Sequence, residues 1–285
     1  MSDLTLVTGA TGTIGSEVVK ALGQKGAKVR AAVRDKTKAA TRFDPAVELV
    51  EFDFESINTF SGALKDAVRL FVLPPLTPNQ TEVVSRLVDA AKNAGVKHIV
   101  KLSAIGVDTG LVFSVGTGHA EGDRHVRGSG IAYTILRPNS FMQNFINYFP
   151  PRNGVIYLPW GDGKASFIDT RDIAAVAAEA LTSNGHNGKT YTLTGPATLG
   201  IADVARILSE ASGRTITYVD VPEAAARDAM LQAGLPQWQV DELMELHAIN
   251  KQGLWSAVTS DVKEIIGRTA TSFEQFARDY AGKFQ

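Results

Sequence analysis

Behind an apolar run, Leu4 to Val7, and ahead of a helical pattern carrying Val18, Val19 and Leu22, stands Thr8-Gly9-Ala10-Thr11-Gly12-Thr13-Ile14-Gly15. A strand that turns sharply into a helix offers unpaired backbone N–H groups and the positive end of the helix dipole to an anion above the turn. The three glycines do different things: Gly9 makes the tight turn, Gly12 lets phosphates reach the backbone, and Gly15 permits close helix-to-strand packing. Gly9, Ala10, Thr11, Gly12, Thr13 and Ile14 are therefore expected to cradle a dinucleotide pyrophosphate. The spacing is G-x-x-G-x-x-G, not the commoner G-x-G-x-x-G, and the flanking strand and helix separate it from an ordinary Gly-rich turn.

A second apolar run, Val29 to Val33, ends at Arg34. That place, about twenty residues past the glycines, carries an Asp or Glu where a ribose 2′-hydroxyl is bound. A guanidinium there suits a 2′-phosphate, which it grips through charge-assisted hydrogen bonds. The expected cofactor is NADP, with NADPH preferred over NADH. The competing reading is a solvated charged edge, because Arg30, Asp35, Lys36 and Lys38 flank the position.

Apolar runs recur at Val47 to Phe52, Val68 to Leu73, His98 to Leu102 and Tyr133 to Leu136, separated by helix-like segments such as Thr81 to Ala94. Continuous apolar strands alternating with helices indicate an α/β fold, a Rossmann-like doubly wound parallel sheet covered on both faces. Ligands of such sheets bind outside the strands' carboxyl ends. The residues at or just past those ends join the expected cofactor site: Asp53 and Phe54, Leu73 and Pro74, Ser103 and Ala104, and Pro138.

Past Pro150-Pro151 the pattern loosens into short strands at Val155 to Leu158, Thr190 to Leu193 and Thr217 to Val221, among helices at Asp172 to Leu181, Ile201 to Ser212 and Pro222 to His247. The expected division is a dinucleotide-binding domain over 1–150 and a second, smaller α/β substrate domain over 151–285, with some chain crossover, the second packing on the crevice as a lid. Gly161-Asp162-Gly163-Lys164 lacks the full phosphate-loop spacing and reads as a polar turn.

Composition excludes several classes. With 285 residues the chain can bury a proper core, and a net charge of −1 gives no electrostatic case for nucleic acid or an anionic membrane surface. No cysteine is present, so disulfides, thiol catalysis and thiolate metal sites are out. No apolar run reaches membrane-spanning length, and the first strand begins without room for a signal peptide, so a cytoplasmic protein is expected.

The glycine loop, Arg34, Lys101-Leu102-Ser103-Ala104-Ile105-Gly106 and Ser129-Gly130-Ile131-Ala132-Tyr133-Thr134-Ile135-Leu136-Arg137-Pro138 come in an order that resembles the NmrA-like branch of the atypical short-chain dehydrogenases. Within it the chain looks most like the triphenylmethane reductase and NAD(P)H:quinone oxidoreductase group, which shares a segment like Gly185-His186-Asn187-Gly188-Lys189-Thr190-Tyr191. The resemblance runs nearly end to end and implies an oxidoreductase. The wider superfamily reduces carbonyls with a Tyr and a Lys four residues later on one helix. None of the six tyrosines here has such a Lys. The place resembling that helix holds His119 and Asp123, one turn apart on one face.

Hydride addition to a simple ketone puts a localised charge on oxygen and needs a positioned acid or oxyanion donor. A quinone or a cationic conjugated dye spreads the electron pair over its framework, so orientation over the nicotinamide does most of the work. The expected activity is an NADPH-dependent reduction of a conjugated small-molecule acceptor. His119 is the candidate proton donor, oriented by Asp123, against a surface or helix-capping histidine. The offsets of His119, Glu121 and His125 do not stack on one helix face, so no metal is expected. His98, His186 and His247 read as ordinary polar positions.

Phe141, Phe145, Tyr148 and Phe149 follow the Leu-Arg-Pro segment as one helical stripe, a core face in most helices. Because it starts at a strand's carboxyl end, Phe141 with Asn139 and Asn144 is a candidate lining for the acceptor, and Phe113 a candidate cover on a flap. Trp160 and Trp255 read as buried packing. The alternative to the enzyme is a non-catalytic NADP(H)-binding redox sensor that acts on a protein partner, as the resemblance also allows.

Overall fold

The computed structural model describes residues 3–110 and 113–285. The chain runs β1 (Leu4–Val7), α1 (Thr13–Gln24), β2 (Lys28–Val33), α2 (Lys36–Ala39), β3 (Glu48–Glu51), α3 (Phe60–Leu64), β4 (Arg69–Val72), α4 (Gln80–Asn93), β5 (His98–Leu102), α5 (Ser114–Gly128) and β6 (Ala132–Pro138). It continues through α6 (Asn144–Asn147), β7 (Val155–Leu158), β8 (Lys164–Ala165), α7 (Thr170–Thr182), β9 (Lys189–Leu193), β10 (Leu199–Gly200) and α8 (Ile201–Ser212). Last come β11 (Thr217–Asp220), α9 (Glu223–Gln232), α10 (Gln237–Lys251), α11 (Asp261–Ile266) and α12 (Phe273–Asp279).

Among the described residues, seven strands form one sheet in the order β3-β2-β1-β4-β5-β6-β9. The pairs from β3 to β6 are all parallel. The strand order reverses direction between β1 and β4, which is where an open α/β sheet leaves a crevice. Leu6, Val7, Phe71, Val72, Ile99 and Val100 are wholly buried, as strands covered on both faces require. Helix α1 follows the apolar spacing of its sequence and buries Val18 and Leu22 completely, each burial worth about 1.5–3 kcal/mol.

The chain divides into two compact units, and the dividing line is not at residue 150. Unit 1 holds residues 3–110, 116–138 and 170–192; unit 2 holds 113–115, 139–169 and 193–285. The segment expected to be a helix and strand of the second domain, Asp172 to Leu181 and Thr190 to Leu193, returns instead, up to Thr192, to the first unit as α7 and most of β9. The reason is packing: α7 buries Ala174, Val176, Ala177, Ala178 and Leu181 against α1 and the sheet, and its small residues let the helices approach closely.

Unit 2 carries two small sheets, parallel β7 with β11 and antiparallel β8 with β10, and an aromatic core. Phe145, Phe167 and Phe273 meet edge to face at centroid distances of 5.3–5.9 Å, and Trp160 stacks on Phe167 at 5.8 Å. The helix expected over Pro222 to His247 is two, because Gly234 at φ 86° ends α9 and Pro236 caps α10.

Candidate active site

In unit 1 the glycine loop adopts the geometry its spacing implies. Gly9 sits at φ 62°, and a Cβ there would stand 2.8 Å from Cδ2 of Leu73, the residue after β4. Glycine is thus required twice, for backbone and for room. A Cβ on Gly15 would lie 2.1 Å from the Gly9 carbonyl oxygen, so α1 can rest on the turn only without a side chain there. Gly12 caps α1 and gives no side-chain hydrogen bond to its first turn, which also lacks an acidic residue. No carboxylate of the first turn therefore opposes the positive end of the α1 dipole, which points at the loop. Beside the loop, Thr8 is fully buried; its hydroxyl donates to the Phe71 carbonyl at 3.1 Å and accepts from Leu73 N–H at 2.9 Å, fastening β1 to β4.

Arg34 is exposed at the end of β2, and Asp35 is committed elsewhere, accepting from Lys38 N–H as the cap of α2. A second guanidinium reaches the loop: Arg42 donates to the Thr11 carbonyl at 2.9 Å. Sequence reasoning missed Arg42, since no spacing rule links a residue beyond α2 to the glycine turn. Asp53 is half-buried and accepts from Glu55 N–H, and Phe54 packs edge-on against Phe52 at 4.9 Å. Pro74 and Ala104 are half-buried and Pro138 is buried; Ile105 N–H donates to the Pro138 carbonyl at 3.1 Å, joining the loops after β5 and β6.

Beneath these loops lies a buried ionic cluster. Lys101, wholly buried in β5, sets its ammonium 2.8 Å from Asp123 Oδ1 on α5. Asp123 Oδ2 accepts from the Ser103 hydroxyl at 2.9 Å and from Arg137 of β6 at 3.4 Å; Arg137 also pairs with Asp108. Burial lowers the Lys101 pKa, and Asp123 opposes that shift. Gly122 makes the approach possible, for a Cβ there would meet Lys101 Cε at 2.9 Å. The signal in the sequence was a lysine within the apolar run of His98 to Leu102.

This cluster corrects the pairing of His119 with Asp123. The Asp123 oxygens go to Lys101, Ser103 and Arg137, and the His119 Nδ1 is buried without a hydrogen-bond partner. Desolvation first, then the neighbouring Lys101 charge, holds the His119 pKa well below its ordinary value, so the imidazole is neutral near pH 7.

The four residues expected to line the acceptor lie in unit 2. Asn139 is not a free orienter: it is buried, its amide donating to Ser166 Oγ at 2.7 Å and the Trp255 carbonyl at 2.8 Å. Phe113 is packed edge-on against Trp255, 5.8 Å between centroids. Phe141 and Asn144 are half-buried, Phe141 bridging Ile168 and Asn144 opening α6. The aromatic stripe is not one helix, as α6 spans only Asn144–Asn147; Phe145 is core, whereas Tyr148 is 68% exposed. His247 is not an ordinary polar position either. It is buried, accepts from Trp160 Nε1–H on Nδ1 at 2.8 Å, and has its pKa lowered to about 4 by desolvation.

A glycine turn leading from β1 into α1 at the reversal point of a parallel sheet defines an α/β protein of the Rossmann type. The chain belongs to the NmrA-like family, whose model matches residues 1–276. It is 39% identical over 281 residues to an NAD(P)H azoreductase of Xenophilus azovorans, covering 98% of each chain. Its fold is similar to that of an Escherichia coli NADPH-dependent quinone oxidoreductase complexed with NADPH, with a TM-score of 0.86, 27% identity and coverage of 97% of this chain and 99% of that one. It is similar also to the Citrobacter triphenylmethane reductase complexed with NADP(H), with a TM-score of 0.85, 25% identity and coverage of 98% and 99%.

Proposed function

We propose that this protein is an NADPH-dependent reductase that delivers hydride to a quinone-like or other conjugated small-molecule acceptor. Gly9, Gly12 and the first turn of α1 hold the pyrophosphate, and Arg34 with Arg42 holds the 2′-phosphate and confers the preference for NADPH over NADH. Leu73, Ser103 and Ala104 follow the ends of β4 and β5, Pro138 closes β6, and together they face the rest of the dinucleotide, with Asp53 and Phe54 towards its adenosine end. When bound, the reduced nicotinamide supplies the hydride. Azo, quinone and triphenylmethane, the words in the relatives' names, all denote conjugated frameworks.

The observation that carries the reading is the Lys101–Asp123 pair at 2.8 Å. On the helix that would bear a carbonyl-protonating acid, Asp123 is neutralised by Lys101 and His119 is uncharged, so the site offers orientation in place of strong acid catalysis. An acceptor that delocalises the incoming electron pair is what such a site can reduce. The test is loss of the reduced-nicotinamide absorbance when protein and NADPH meet a panel of quinones, azo compounds and simple ketones. Turnover of the conjugated compounds alone is expected. Tight NADPH binding with no turnover of any acceptor would overturn the reading in favour of a non-catalytic sensor.

A further inference from the structure

The ionic cluster of unit 1 gives one hydroxyl a fixed polarity. An Asp123 carboxylate facing the Lys101 and Arg137 cations has only acceptor oxygens, so in its 2.9 Å contact with Ser103 the hydroxyl is the donor. The Ser103 N–H is also committed, donating to the Leu136 carbonyl at 2.7 Å. What Ser103 keeps for any further partner is the lone pairs of Oγ. Its position is the first residue past β5, at the carboxyl edge of the sheet, two strands from the glycine loop of β1.

A buried ion pair is an expensive way to hold a helix on a strand, since well-packed apolar side chains serve as well or better. The Lys101–Asp123 pair needs a glycine at position 122 besides, and it leaves Arg137 Nε buried and unpartnered. What the ionic arrangement achieves and an apolar one cannot is to orient the hydroxyl of Ser103.

We propose that Lys101 and Asp123 are positioning residues that hold Ser103 as an acceptor-only group, whose oxygen takes a hydrogen bond from the carboxamide NH2 of the nicotinamide and so fixes which face of the ring is presented. Ser103 is then a cofactor-orienting residue and not the acid of the reaction. This inference rests on the reading that a nicotinamide dinucleotide binds across the strand ends of unit 1.

The experiment is calorimetric titration of NADP+ against its 3-acetylpyridine analogue, in which a methyl group replaces the carboxamide NH2. The unmodified protein is expected to bind NADP+ about five- to tenfold more tightly, the equivalent of one neutral hydrogen bond. Ser103→Ala is expected to bind both nucleotides alike, and Ser103→Thr to keep the preference. Asp123→Asn presents an amide donor to Ser103 and turns its proton outward, so the preference is expected to vanish or reverse. Lys101→Met, which leaves Asp123 its Arg137 and Ser103 partners, is the second variant should Asp123→Asn not fold; its preference is expected to fall. An undiminished preference in Ser103→Ala overturns the proposal and leaves the reductase reading standing. Undiminished preference in folded Asp123→Asn or Lys101→Met overturns the positioning role, and absence of binding by the unmodified protein removes the reading and the proposal together.

Discussion

Arg42 donates to the carbonyl oxygen of Thr11 at 2.9 Å, so a cation from beyond α2 is fastened to the loop that opens α1. This contact places a second guanidinium at the same end of the sheet as Arg34. Two arginines can share a 2′-phosphate through charge-assisted hydrogen bonds. Each of Arg34→Asp and Arg42→Asp is expected to reduce the ratio of NADPH to NADH affinity by about tenfold or more, since a hydrogen bond to a charged group is worth about 1.5–3 kcal/mol. Parallel titration of the two nucleotides gives the ratio; an Arg34→Asp protein that kept its NADPH preference would refute the role of that residue.

The glycines separate folding from binding. A Cβ on Gly15 meets the Gly9 carbonyl at 2.1 Å, whereas one on Gly12 meets nothing nearer than the same oxygen at 3.3 Å. Gly15→Ala is therefore expected to lower stability by about 1–3 kcal/mol, as overpacking does, while Gly12→Ala stays near the parent melting temperature yet loses dinucleotide affinity. Thermal melts with and without NADPH distinguish the two cases.

His119 is not an imidazolium at neutral pH, because burial and the Lys101 charge keep its imidazole uncharged, and a neutral imidazole is a very weak acid. His119→Gln should change kcat for a quinone by less than about threefold, far below the 10²–10⁴ contributed by a general acid. A hundredfold loss in this variant, with unaltered melting, would restore His119 as the proton donor.

Two histidines, buried His247 and half-buried His98, make stability depend on pH. His247 has its pKa lowered to about 4 by desolvation, and His98 to about 4 by desolvation and then by Arg69 and His186. Between about 6.5 and 4 the unfolded chain binds protons that the folded chain does not, so stability is intact above 6.5 and declines as pH falls through this window. For His247, almost fully buried, the loss amounts to about 3 kcal/mol. Urea unfolding from pH 7 to pH 4 should show the decline, and His247→Gln, whose amide oxygen can still accept from Trp160, should flatten it.

How much of this was legible in the sequence depended on whether the determining interaction was local. Strand-forming runs and their carboxyl ends could be read because burial on both faces forces continuous apolar residues, and His98–Leu102 was delimited to the residue. The glycine spacing carried its own geometry, because φ at Gly9 and the clearance at Gly15 are properties of a turn only seven residues long. The break at Gly234 and Pro236 was present in the sequence as well, but the apolar content of Pro222 to His247 concealed it.

The sequence by itself determined the doubly wound sheet, the glycine turn into α1 and the absence of a Tyr/Lys pair, each a matter of composition or short spacing. Only the tertiary structure decided which strands α7 and β9 join, that Asn139 and Phe113 turn into packed interiors, and that Asp123 answers Lys101 and not His119. Those outcomes rest on contacts between residues 22 to 142 positions apart, such as Lys101 with Asp123 or Phe113 with Trp255. Such contacts leave no periodic trace, because what selects them is the burial and charge pairing available after the chain has collapsed.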